Sequence, residues 1–178
     1  MASGPVETRV TAPQAFEEKV LMVAVDESEQ ALWASQVAAR LAEALHADVV
    51  LVYVMNLEAA GASELAFNDR EYLAQLRGRA DQIFAAARAR FPPGVNVQRL
   101  LREGKPAKEI IASAVEWGPA LLLIGTHGRG RLATFVLGST AEEVIRGAPC
   151  PVLTVAHDPG GTPPPPSCGS TELMSIVP

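Results

Sequence analysis

A glycine-rich stretch in the second half of the chain has the residue types of an anion-binding site. It reads GTHGRGRLATFVLGS and runs from residue 125 to residue 139. Gly125 and Gly128 carry no Cβ, so the backbone beside them can approach a ligand closely. Gly138 precedes a segment that is typical of a helix start, and the first N–H groups of a helix attract anions. The spacing therefore predicts a site for an anionic ligand.

The same residues also allow a purely structural interpretation. Ser139 and Glu142 have the spacing of a capping box, which stabilises a helix without any ligand. Gly125 and Gly128 could serve only a tight turn, and His127 could be an ordinary loop histidine. A connection of this length usually has a function or is mobile, which favours the functional interpretation.

A second candidate position is Asp26, which ends the first apolar run of the chain. In a parallel sheet, such a residue lies at the carboxyl end of a strand, where ligands bind. Helix capping is the structural alternative, because Asp26 and Glu29 also have capping-box spacing. The two roles can coexist.

Strand and helix patterns alternate along the chain, which predicts an open, mostly parallel α/β sheet with helices on both faces. Candidate ligand loops follow the first and fourth strands, so the strand order 3-2-1-4-5 is preferred, since it places these two strands side by side. The third predicted strand alternates apolar and polar residues, as a half-exposed edge strand does. The predicted strands cover residues 19–26, 48–54, 95–102, 121–124 and 152–155.

Helical spacing also predicts which residues face the core. Pro106 suits the first position of the third helix, and Gly118 with Pro119 ends that helix. The predicted inward positions are Ala34, Ala38, Leu41 and Leu45 in the first helix, and Ile110, Ile111, Ala114 and Val115 in the third.

The spacing Gly-x2-Gly-x9-Gly-Ser, complete here as Gly125, Gly128, Gly138 and Ser139, resembles that of the universal stress protein family, in the branch that binds ATP. The resemblance extends from about residue 19 to residue 156. It implies a Rossmann-like sheet of order 3-2-1-4-5 and an adenine nucleotide as ligand. ATP is the nucleotide expected, with AMP or cyclic AMP as alternatives and Mg²⁺ as a possible companion. It also implies a homodimer that pairs through the last strand, Val152–Val155.

The resemblance further implies the role of individual residues. Asp26 would contact the adenosine, and the backbone of Val54 would hold the adenine edge. Glu27 stands where the family often has a glycine, which leaves the base or ribose preference open. Arg129 and Arg131 would offset phosphate charge or be solvated. The implied nucleotide-binding residues are Ala24, Val25, Asp26, Val54, Ile124, Gly125, His127, Gly128, Arg129, Gly138, Ser139 and Thr140.

Bulk composition narrows the classes of function. The net charge of −5 argues against a nucleic-acid partner, which calls for clustered basic surface. Cys150 and Cys168 provide neither a disulfide framework nor metal-ligand spacing. No run approaches the roughly 18 apolar residues of a membrane span, and the first residues lack a signal-peptide pattern. We expect a cytoplasmic protein.

Three functions are compatible with these observations. The preferred one is a nucleotide-binding regulatory protein in a stress response, with slow ATP hydrolysis or none. The others are a dimeric interaction module whose nucleotide site is empty, and an enzyme of a related adenylyl-transfer class. No Walker pattern is present, since Gly104-Lys105 lacks the required neighbours, and catalytic residues are not assigned.

The composition also predicts three segments: a flexible arm over residues 1–18, the folded domain over 19–157 and a flexible proline-rich tail over 158–178. The tail holds four consecutive prolines at 163–166 and cannot bury enough apolar surface to offset its chain entropy. Removing the chain from Gly160 onward should therefore leave the melting temperature and nucleotide affinity unchanged. A loss of several degrees on truncation would show that the apolar residues 173–177 dock onto the domain.

Overall fold

The computed structural model describes residues 19–56, 70–126 and 137–156. Strands and helices alternate through them, as the sequence predicts. The elements are β1 (Val20–Ala24), α1 (Glu29–Leu45), β2 (Asp48–Met55), α2 (Arg70–Arg88), β3 (Val97–Glu103), α3 (Pro106–Trp117), β4 (Leu121–Gly125), α4 (Ser139–Gly147) and β5 (Val152–Val155).

The five strands form one parallel sheet in the order β3-β2-β1-β4-β5, which confirms the predicted fold class. Every residue of β1 is buried, and β2 is buried after its first residue, because both strands are covered on both faces. In β3 buried and exposed positions are mixed, as expected of an edge strand. The second edge is β5.

Two apolar cores lie on opposite faces of the sheet. The core beneath α1 and α2 includes Ala38 and Ile83, whereas the core beneath α3 and α4 includes Ile110 and Val144. Successive residues of a strand point to opposite faces, so each central strand contributes side chains to both cores.

Local sequence sets the ends of α3. Pro106 occupies its first turn, where a missing N–H costs nothing, as predicted. Gly118 ends the helix in the left-handed region, with φ of 52°, and its N–H donates to the carbonyl of Ala114.

Two predicted core positions are wrong. Val115 in α3 is 68% exposed, and Leu45 in α1 is 41% exposed. The buried arc of α3 runs through Ile110, Ala114 and Trp117, so Val115 is rotated about 100° away from its centre. Leu45 is the last residue of its helix.

Gly125, at the end of β4, is packed against the first turn of α1. A Cβ placed on Gly125 would lie 2.7 Å from Cβ of Gln30 and 3.0 Å from the carbonyl carbon of Gln30. It would also lie 3.2 Å from the backbone nitrogen of Ala31. Backbone atoms of a helix cannot move aside as a flexible side chain can. The absence of a side chain at Gly125 therefore sets how closely α1 approaches the sheet.

Gly125→Ala should destabilise the domain by about 1–3 kcal/mol, because the added methyl group forces α1 away from β4. Gly78→Ala is the matched control. Gly78 lies inside α2 with no atom within 4 Å of the added Cβ, so that change should stabilise by about 0.5–1 kcal/mol. Chemical denaturation of the two variants measures both effects. Equal stability of Gly125→Ala and the parent protein would contradict the close approach.

Candidate functional site

The carboxyl ends of β1 and β4 lie side by side at the centre of the sheet. Ala24 is the register partner of Ile124, and the next residues along each strand leave the sheet at the same edge. The N–H of Val25 donates to the carbonyl of Val52 at 2.9 Å, so β2 ends beside them. Asp26 and Gly125 are therefore brought to one edge, as the predicted order requires.

The side chains of the predicted site residues divide between the two faces. Ala24, Val54 and Ile124 belong to the core beneath α3 and α4, which also includes Ala141 from the first turn of α4. Val25 belongs to the opposite core. Only the backbone of Val25 is thus available to a ligand on the α4 side.

The first turn of α4 provides hydrogen-bond donors at this edge. Gly138 is the N-cap residue, with φ of −62° and ψ of 147°, and its carbonyl accepts from the N–H of Glu142 at 2.9 Å. By helix geometry, the N–H groups of Ser139, Thr140 and Ala141 precede the first intrahelical bond and have no acceptor within the helix. With the positive end of the helix dipole, they form an anion-attracting group.

The predicted capping box of Ser139 and Glu142 is not formed. The helix begins one residue earlier than the box requires, so Ser139 takes the first helical position and no side chain caps the helix. Glu142 instead pairs with Arg146, one turn further along α4. The hydroxyl of Ser139 is exposed and has no role in capping.

Thr126 is a structural residue of the site that the sequence did not identify. Its N–H donates to the carbonyl of Val155 at 2.9 Å, and its carbonyl accepts from the N–H of Gly138 at 2.7 Å. The two ends of the glycine-rich stretch are thus held together, and the N–H of Gly138 is already used. Because Thr126 acts here through backbone atoms, its side-chain type gives no indication of this role.

Asp26 is fixed by Ser28. Oδ1 of Asp26 accepts from the N–H of Ser28 at 2.9 Å and from the Ser28 hydroxyl. Ser28, rather than Asp26, is the N-cap of α1, and its Oγ accepts from the N–H of Ala31 at 3.1 Å. The capping box of Asp26 and Glu29 is therefore wrong by two positions, and Asp26 supports the cap instead of forming it.

The neighbouring carboxylate turns to a different partner. Both oxygens of Glu27 accept from the guanidinium of Arg79 in α2. This hydrogen bonding with Glu27 raises the pKa of Arg79 above its ordinary value. The helix that the sequence marked only as basic thus supplies the counter-ion for the carboxylate beside Asp26.

Several predicted features lie outside the described residues. His127, Gly128 and Arg129 all fall within residues 127–136, and both predicted terminal segments are outside as well. In residues 19–56, 70–126 and 137–156, no group of three His, Cys, Asp or Glu side chains could hold a metal ion. No helix in those ranges is long and apolar enough to cross a membrane.

Solved structures with the same fold are universal stress proteins. That of Lactobacillus plantarum has a TM-score of 0.65 at 24% identity and covers 77% of this chain and 97% of its own. A universal stress protein solved in complex with cAMP has a TM-score of 0.56 at 21% identity, covering 78% and 97%. One from Archaeoglobus fulgidus, in complex with dAMP, has a TM-score of 0.55 at 20% identity, also covering 78% and 97%.

Sequence relatives agree with the structural comparison. A protein of Thermus aquaticus is 33% identical over 138 residues, which cover 77% of this chain and 98% of that protein. A protein of Methanocaldococcus jannaschii is 31% identical over 148 residues, covering 77% and 81%. Both are named as universal stress proteins, and the family model for the universal stress protein family matches residues 18–156. The chain therefore belongs to the universal stress protein family.

Proposed function

We propose that this protein binds ATP at the carboxyl edge of its sheet and acts as a nucleotide-dependent regulator, with slow hydrolysis or none. The observation that carries the proposal is the register of Ala24 with Ile124. It places the carboxylate of Asp26 and the first turn of α4 at one crevice, where open α/β sheets bind ligands. An acceptor for the nucleoside and donors for the phosphates then lie on opposite sides of that crevice.

The phosphate end of the ligand would lie at α4. The N–H groups of Ser139, Thr140 and Ala141, with two hydroxyl groups, supply donors that suit phosphate oxygens. Gly138 adopts φ of −62° and ψ of 147°, which other residues also adopt, so conformation alone does not require glycine there. Its lack of a side chain fits a phosphate placed directly against the helix.

The adenosine end would lie between Asp26 and the end of β2, with the adenine edge against the backbone of Val54. The relatives solved with cAMP and dAMP carry adenine nucleotides on the same fold, and this supports an adenine base here. The glycine spacing of the chain, complete at Gly125, Gly128 and Gly138, supports ATP among these nucleotides.

A regulatory role fits the arrangement of acidic groups better than catalysis does. Asp26 is bonded to Ser28, whereas Glu27 is bonded to Arg79, so these adjacent carboxylates diverge. They do not form the pair that would hold Mg²⁺ beside a phosphate. Any Mg²⁺ would accompany the ATP phosphates themselves.

Gly138→Val should weaken ATP binding by at least about a hundredfold, because the side chain would occupy the phosphate position and two or more charge-assisted hydrogen bonds would be lost. Ser139→Ala should cost less, since backbone donors remain, and it should leave stability nearly unchanged because Ser139 caps nothing. Isothermal calorimetry with ATP measures this ranking.

Gly94→Val is the control for glycine replacement. Gly94 lies in the turn before β3, at the opposite end of the sheet, and nothing is within 4 Å of an added Cβ. It should bind ATP like the parent protein. Unchanged affinity in a folded Gly138→Val variant would contradict the phosphate site and favour an interaction module with an empty site. Formation of AMP and pyrophosphate products from ATP would favour the adenylyl-transfer alternative.

We further propose that two copies of the chain pair through β5. This strand is a sheet edge with the sequence VLTV, and an apolar edge without a partner promotes association. Leu153 is 37% exposed on it, although Val155 is buried beneath α1. The other edge, β3, alternates charged and apolar residues and is better protected against pairing.

Leu153→Lys should convert the dimer to monomers, because it introduces a charge at the centre of the paired edge. Leu101→Lys is the matched control, since Leu101 is 38% exposed on the opposite edge strand. Light scattering of both variants and of the parent protein at micromolar concentration measures the mass. A parent protein that is already monomeric, or a dimer that survives Leu153→Lys but not Leu101→Lys, would contradict pairing through β5.

A further inference from the structure

We propose that Ser28 is a positioning residue of the nucleotide site: it holds the Asp26 carboxylate so that Oδ2 accepts a hydrogen bond from a ribose hydroxyl. The inference rests on the proposed nucleotide site and assigns one step of recognition within it. It concerns a residue that the glycine pattern does not include and that would not itself touch the ligand.

Three hydrogen bonds converge on this turn. The N–H and the hydroxyl of Ser28 both donate to Oδ1 of Asp26, and Oγ of Ser28 accepts from the N–H of Ala31. A serine hydroxyl has one donor and two lone pairs, so it can cap α1 and bind Asp26 at the same time. Because the Ala31 bond uses a lone pair, the hydroxyl hydrogen remains for Asp26. Oδ1 is thus committed to Ser28, and Oδ2 retains its capacity to accept.

The neighbouring acidic side chain does not disturb this arrangement. Glu27 is bonded to Arg79, which draws its carboxylate towards α2 and partly neutralises it. The two carboxylates are therefore separated by their partners, and Asp26 keeps both donors of Ser28. The carboxylate of Asp26 enters the crevice side of the turn already restricted, so fewer rotamers are lost when a ligand binds.

The order of the strands indicates which part of a nucleotide Asp26 meets. Val54 ends β2, where the adenine would lie, and α4 follows β4, where the phosphates would lie. Asp26 follows β1, which lies between β2 and β4. The sugar is the middle part of a nucleotide, and its hydroxyl groups are donors. An ionised carboxylate can only accept hydrogen bonds, so the two groups are complementary.

The test compares ATP with 2′-deoxy-ATP and 3′-deoxy-ATP by calorimetry. The parent protein should bind ATP at least about tenfold more tightly than one of the two deoxy analogues, as expected for a hydrogen bond to a charged group. In Ser28→Gly this preference should fall to about twofold or less. Glycine is a tolerated N-cap that costs only a few tenths of a kcal/mol relative to serine, so the fold should survive. Ser28→Thr keeps a hydroxyl and should restore the preference.

Two further variants separate positioning from a general effect on the fold. In an Asp26→Ala background, Ser28→Gly should not change the ratio of affinities any further, because Ser28 acts only through Asp26. Glu27→Gln should leave the ratio as in the parent protein, since Glu27 faces α2. A change in helix stability alone would weaken binding of all three nucleotides equally and leave their ratio intact.

The outcomes distinguish the inference from the function on which it rests. If the parent protein binds none of the three nucleotides, the proposed function itself is wrong. If it binds ATP but shows no preference over either deoxy analogue, the ribose contact is wrong while nucleotide binding stands. If it shows the preference and Ser28→Gly retains it, Ser28 does not position Asp26.

Discussion

The parallel pairing of β1 with β4 is the contact on which the rest of the structure depends. Both strands are short, apolar and covered by helices on each face, and their register is fixed from Leu21 opposite Leu121 to Ala24 opposite Ile124. A shift of one residue would turn core side chains of both faces to the wrong side. The same register places the turn after β1 beside the loop after β4. Burial of the core and assembly of the candidate site thus require one alignment.

Around that contact, the candidate site is built mainly from backbone atoms. Hydrogen bonds run from Val155 to Thr126, from Thr126 to Gly138 and from Gly138 to Glu142, so they connect the edge strand β5 to the first turn of α4. Gly125 adds a steric condition, because α1 packs directly against its Cα. These contacts explain why glycines dominate the pattern: each must leave space for a helix or for a ligand.

The turn between β1 and α1 shows how tertiary contacts divide two adjacent carboxylates. Asp26 finds its donors two residues away in Ser28, whereas Glu27 finds its partner 52 residues away in Arg79. The first interaction is local and contributes to the N-terminus of α1. The second joins the turn to α2 and is exposed to solvent, so its contribution to stability is small. Its effect is mainly to direct the carboxylate.

The sequence by itself determined the alternation of strands and helices, the strand order, the two edge strands and the ends of α3, because these follow from apolar periodicity and from local effects of Pro106 and Gly118. It also located the glycine pattern that identifies the family. Only the tertiary structure decided that Gly138 rather than Ser139 precedes the first turn of α4, that Ser28 caps α1, and that Glu27 pairs with Arg79. Capping depends on backbone angles that several neighbouring polar residues could satisfy, and an ion pair across 52 residues depends on how α2 packs. Spacing along the chain carries no information about either.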